Sequence, residues 1–160
     1  MIITGFQLRA SRKVLNLTLD QLSKNCGVSK VTLSRLINTI DNNNEITCSA
    51  QNAEKIILYF NSQQIIFPDK NTIKLDEYIE PKPVDTNLTR FQFITARVAM
   101  NLSQKRLAKY TELGHGSFQR FEEQNNTCYI KSNKIEIRNF ILFFNTHGIS
   151  FPNNKSVKFE

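Results

Sequence analysis

The side chains that could make or break bonds are few in this sequence and poorly spaced for it. His115 and His147 stand too far apart to share a metal, and Cys26, Cys48 and Cys128 form no CxxC pair. There is no GxSxG, phosphate-loop or GxGxxG motif, and no Ser, His and Asp can be set in a nucleophile–base arrangement. The expectation is a protein that is not an enzyme and uses no cofactor or metal. Positive charge is what the chain has in surplus: 21 lysines and arginines against 14 acids give +7 and a pI near 9.5. Such an excess points toward a polyanionic partner.

Composition narrows the class. The 160 residues suffice for one ordinary domain or two small ones, and 40% hydrophobic with 22% charged residues is globular. No apolar run approaches the roughly 18 residues of a membrane helix. The opening MIITGFQLRASRK has no basic segment followed by an apolar one, so no secretory leader is expected. Three cysteines leave one unpaired in any disulfide scheme, which suits reduced thiols in the cytoplasm.

An internal repeat organises these residues. Segment 6–36 lies without gaps over 91–121 at an offset of 85, pairing Phe6/Phe91, Gln7/Gln92, Arg12/Arg97, Asn16/Asn101, Leu22/Leu107 and Arg35/Arg120. The match resumes at an offset of 84, where Ile65 and Phe67-Pro68 meet Ile149 and Phe151-Pro152, and Lys74 meets Lys158. A single-residue slip over so long a stretch is the mark of duplication. The units are 1–75 and 88–160. Between them, residues 76–87 hold Pro81, Pro83 and four acids and read as an extended linker reaching at most roughly 40 Å.

Each unit reads as four helices followed by two short strands. Phe6, Ala10 and Val14 recur at helical spacing, and Thr18 with Gln21 makes a capping box for a second helix that Gly27 ends. Val28 is the buried turn residue, and Ser29 caps a third helix whose Leu33, Leu36 and Ile37 face inward. Ser49 starts a fourth. IIFPDKNTIKL then reads as a hairpin around its Pro-Asp-Lys-Asn turn. In the second unit the helices fall near 88–100, 103–110, 115–124 and 133–146, before the hairpin GISFPNNKSVKF. The aromatic stretches FNSQQIIF and NFILFFN are core.

Two short helices joined by a tight turn form a helix-turn-helix. LTLDQLSKNCGVSKVTLSRL resembles the Cro and phage-repressor (XRE) family of that motif, and LSQKRLAKYTELGHGSFQRF is similar to it. The resemblance implies a mainly α fold of two tandem lambda-repressor-like domains, each closed by a small β-hairpin. It implies sequence-specific binding of double-stranded DNA and transcriptional regulation, with recognition helices near 29–39 and 114–124 in the major groove. The family's base-reading positions fall on Lys30, Val31 and Arg35, and on His115, Gly116 and Arg120. Thr32, Ser34, Ser117 and Gln119 flank them. Arginine suits the task because its guanidinium bonds both O6 and N7 of guanine. Gln104 falls on the family's phosphate-contacting glutamine, Lys105 and Arg106 add charge, and the caps Thr18, Ser29 and Ser103 can offer helix-terminal amides to phosphate. Arg97 and Glu122 fall on a family ion pair that is structural.

Each unit departs from the pattern. Unit 1 has Leu19 and Asp20 where the phosphate contact belongs, and Ile37 in place of the acid, so Arg12 needs another partner, such as a phosphate. Unit 2 replaces the turn glycine with Glu112, and Gly114 and Gly116 loosen its recognition helix. Residues 1–80 carry net charge +1 and residues 81–160 net +6. Repeat 1 thus has the cleaner reading helix, and repeat 2 the stronger pull on DNA. Two other uses of the fold fit the residues: a protein-interaction adaptor or anti-activator, and an antitoxin that regulates its own gene. The hairpins present open edges and are expected to pair, within the chain as a pseudo-dimer or between chains as a homodimer. The homodimer is favoured, since duplicated domains often keep their self-association surface.

Overall fold

Thr4 and Thr89 begin the same helix twice. Each accepts the amide of the glutamine three residues on, and that glutamine's side chain returns to the threonine N–H, a complete capping box. The helices that follow are α1 (Gly5–Val14) and α5 (Arg90–Ala99). The sequence reading started the latter at 88; Thr89 instead stays extended and caps it. Both helices end on an asparagine in the left-handed region, Asn16 at φ 53° and Asn101 at φ 57°. Asparagine tolerates that conformation, and it lets the next amides reach back, Leu17 N to the Arg12 carbonyl at 3.0 Å and Leu102 N to the Arg97 carbonyl at 3.1 Å. The computed structural model describes residues 3–38, 48–111 and 115–160.

Thr18 repeats the capping box for α2 (Leu19–Cys26), and Gly27, at φ 66°, ends it. Ser29 caps α3 (Lys30–Ile37) and Ser49 caps α4 (Ala50–Ser62). In the second unit the corresponding helices are α6 (Gln104–Thr111), α7 (His115–Glu122) and α8 (Lys134–Thr146), the last capped by Asn133. The described residues are mainly helical with one small antiparallel sheet.

That sheet comes from both units. β1 (Ile65–Ile66) pairs β2 (Thr72–Leu75), β3 (Ile149–Ser150) pairs β4 (Ser156–Phe159), and β2 pairs β4, so the order is β1-β2-β4-β3. The central register has Ile73 opposite Val157, Thr72 opposite Lys158 and Lys74 opposite Ser156. Residues 84 apart are equivalents, so Ile73 meets its own equivalent, and the flanking pairs exchange under the repeat. A local pseudo-twofold axis therefore passes through the Ile73–Val157 pair. The flanking bonds obey it: Leu75 N to the Lys155 carbonyl and Phe159 N to the Asn71 carbonyl are both 2.8 Å.

α1 and α5 pack on each other and tie down the hairpins. The Gln7 amide donates to the carbonyls of Asp69 and Thr72, and the Gln92 amide to those of Asn153 and Ser156. Ile73 and Val157 are fully buried within an apolar cluster that runs through both units. The second unit fills its part with phenylalanine: Phe93, Phe118, Phe121 and Phe140 stand where the first has Leu8, Leu33, Leu36 and Ile56. Phe93 stacks on Phe118 at 5.8 Å and meets Phe140 edge-on at 5.4 Å. The 76–87 segment is strapped down rather than free. Ile79 is buried, Tyr129 donates its hydroxyl to the Glu80 carbonyl, and Asn154 donates to that of Lys82.

Because the units share a sheet and a core, thermal unfolding followed by circular dichroism should show one transition. Ile73→Ala should cost about 2–4 kcal/mol and lower that transition as a whole. Two separate transitions in the parent protein would contradict a shared core.

Candidate nucleic-acid interface

α3 is held from one side only. Leu33 and Leu36 are buried, while Lys30, Val31 and Arg35 face outward, Val31 with 81% of its surface exposed. α2 braces it through the tight Gly27 turn, with Val28 plugged into the core. Ser34 and Thr32 are half-buried at the edge of the outer face. Ser29 takes the Thr32 amide at 3.2 Å and lies 2.9 Å from its hydroxyl, so these two polar groups satisfy each other.

Lys30 has a partner that sequence reading overlooked. Its ammonium sits 2.8 Å from the Asp20 carboxylate on α2, with both side chains more than half exposed. Such a surface pair is worth no more than about 1 kcal/mol and exchanges readily for another anion. Asp20 therefore moderates the charge of this face. Leu19, the equivalent of Gln104 in the repeat, is half-buried beside Lys30, Val31 and Arg35.

α7 presents the equivalent face. Phe118 and Phe121 point inward; Gln119 and Arg120 point out, and Arg120 donates to the half-buried Ser117 hydroxyl at 3.2 Å. Gly116 is exposed with open space where a Cβ would stand. Glu112, Gly114 and the His115 side chain lie outside the described residues. On α6, Lys105 and Arg106 are exposed and Gln104 is half-buried, while Ser103 accepts the Arg106 amide at 3.1 Å. The two units thus bring Arg35 and Arg120 to equivalent outward positions. Thr18 and Ser103 already accept the amides of Gln21 and Arg106, which leaves fewer helix-terminal N–H groups for an external anion.

The buried charges differ between the units. Arg97 places Nη2 2.6 Å and Nε 2.7 Å from Glu122 Oε1 and donates Nη1 to the Leu102 carbonyl, with both side chains almost wholly buried. Arg12 has Ile37 in place of the acid. It donates Nη1 to the Leu17 carbonyl at 2.7 Å, and its buried Nε has no acceptor among the described residues. Burial pushes the Arg12 guanidinium below its ordinary pKa.

Two further arginines escaped the sequence reading. Arg90 is buried and donates to the Glu122 carbonyl at 2.7 Å, to Asn126, and across the units to the Val14 carbonyl at 3.0 Å. Burial lowers its pKa, and the nearby Glu122 charge opposes that shift. Arg9 is buried and donates to the Ile37 carbonyl at the end of α3, at 3.0 Å. The available signal was asymmetry: Arg90 stands opposite Gly5 in the repeat, and Arg9 opposite Ile94.

The cysteines are free thiols. Burial raises the pKa of Cys26, and it raises that of Cys48 against a lowering contribution from Arg35. Among the described residues no group of His, Cys, Asp and Glu is disposed to hold a metal ion, and no helix is long and apolar enough to cross a membrane. Comparison with protein-family models, curated proteins and solved structures finds no match.

Arg97→Ala strands the Glu122 carboxylate in the core and should cost about 3–5 kcal/mol in urea unfolding of the full chain. Arg12→Ala removes a charged hydrogen bond but strands no acid, so its cost should be about 1–3 kcal/mol. Equal losses would show that the carboxylate does not govern the difference.

Proposed function

We propose that the chain binds double-stranded DNA through two helix-turn-helix heads, α2–α3 and α6–α7, and acts as a sequence-specific transcriptional regulator in the cytoplasm. The observation that carries this reading is the repeated outer face. Two helices, each braced on one side, project Arg35 and Arg120 from equivalent positions. A major groove about 12 Å wide accepts such a helix, and a guanidinium aimed at its floor can bond guanine bidentately. Val31, apolar yet open to solvent, suits a thymine methyl. The excess of 21 cations over 14 acids supplies the general attraction to phosphate.

One chain carries both heads, so a monomer suffices to contact two half-sites, and a homodimer would bring four. The half-sites should differ in sequence, because Lys30 and Val31 in one head correspond to His115 and Gly116 in the other. A second reading, a protein-interaction adaptor, has one observation in its favour. Leu58 and Leu142, equivalent residues of α4 and α8, are both exposed, at 60% and 63%.

Selection of bound duplexes from a random pool should return a defined asymmetric site. Affinity for it should fall by orders of magnitude between about 50 and 200 mM salt. Arg35→Ala and Arg120→Ala should each cost about 1–3 kcal/mol there and relax preference at one base pair, while Lys105→Ala should weaken all sequences alike. Absence of duplex binding at low salt would overturn the reading in favour of the adaptor.

A further inference from the structure

A cleft of about 520 Å³ opens where the last turns of α1 and α5 meet the end of α3. Arg9, Arg12 and Lys13 line it from α1, Arg97 and Asn101 from the end of α5, and Asn38 from just past α3. Among the described residues no acidic side chain lines it. Arg97 is already committed to Glu122, and Arg9 to the Ile37 carbonyl. Arg12 donates Nη1 to the Leu17 carbonyl, Lys13 is exposed, and neither forms an ion pair among the described residues. A guanidinium with no acid paired to it and an exposed ammonium, both lining one open cleft, are groups that attract a phosphate oxygen.

Position narrows the source of that phosphate. Asn38 also edges the exposed α3 face, together with Lys30, Val31, Ser34 and Arg35. The cleft therefore continues that face. Both members of the equivalent pairs Arg12/Arg97 and Lys13/Val98 line it, so it straddles the boundary between the units. Its counterpart across that boundary is chemically different. Under the repeat, Arg9, Ile37 and Asn38 become Ile94, Glu122 and Glu123, so one cation is lost and two acids appear. Only one side of the boundary attracts an anion.

We infer that this cleft grips a backbone phosphate of the bound duplex between the two half-sites, on the first unit's side alone. The inference rests on the DNA-binding reading and adds to it a contact that is sequence-independent and confined to one strand.

The test uses the full chain, a duplex selected as above, and inorganic pyrophosphate as a probe that needs no DNA. Lys13→Glu is the main variant, since its side chain is exposed and its loss should not impair folding. Arg12→Gln is the second variant. Lys70→Glu, in the hairpin turn beside the opposite end of α1, is the control of equal charge change. Lys13→Glu should reduce the salt slope of duplex binding by about 1 or more and leave base preference intact, while the control changes the slope less. Phosphate ethylation should interfere at the middle of the site on one strand only. Pyrophosphate should stabilise the parent protein saturably, with affinity roughly tenfold weaker in either cleft variant.

Duplex binding with an unchanged slope and no mid-site interference would overturn the cleft contact and leave the DNA-binding reading standing. Absence of duplex binding altogether would remove both. If pyrophosphate were then still bound and lost in Lys13→Glu, the ligand would be a free phosphate compound and the duplex assignment would be wrong.

Discussion

The arrangement depends on β2 and β4 burying each other's edges. A two-stranded hairpin in water is marginal by itself, and an open edge is an invitation to pair. Here each unit contributes two strands, and the result is a four-stranded sheet whose central pair is Ile73 on Val157. Its register is its own image under the repeat, so the contact that joins the units also sets them in twofold relation. α1 and α5 lie against it, and their glutamines take up the hairpin-turn carbonyls that the strands leave free. Once this joint is made, the positions of α3 and α7 relative to each other follow.

Within that symmetric frame the units have diverged in ways that compensate. The second replaces aliphatic core residues by phenylalanine at four equivalent places, and the rings interlock edge to face. It also carries the buried Arg97–Glu122 pair and the Arg90 network, whose charges are satisfied by carbonyls and one carboxylate. The first unit lacks the acid, with Ile37 at the equivalent place. Burying a guanidinium without an acid is tolerable only with carbonyl acceptors or access to solvent. Arg12 has some of each. With Ile37 standing where the second unit has Glu122, Arg12 forms no counterpart of the Arg97–Glu122 ion pair among the described residues.

Much of this was legible in the residues. Capping residues, Gly27, the apolar spacing and the 85-then-84 offset define the helices, the hairpins and their duplication, because caps and periodicity act within a few residues along the chain. The outward placement of Arg35 and Arg120 follows from the same spacing, given Leu33, Leu36, Phe118 and Phe121 as the inner face. Asn16 and Asn101 were visible as identities, though their left-handed role emerges only from the backbone.

What the tertiary structure decided was everything that joins residues distant in the chain. The sequence offered two hairpins with open edges and inclined the expectation toward pairing between chains, whereas β2 pairs β4 within one chain. Closing a long intramolecular loop costs roughly 4 kcal/mol or more, while the gain from burying Ile73 against Val157 depends on register and packing that no local pattern encodes. For the same reason Arg90 reaching Val14, Lys30 meeting Asp20, and the convergence of Arg9, Arg12, Lys13 and Arg97 around one cleft could not be read from spacing. Each is a charge whose partner or neighbour was chosen by the packing of α1 on α5 and of α2 on α3, and a charge in a sequence carries no mark of the neighbours that packing will give it.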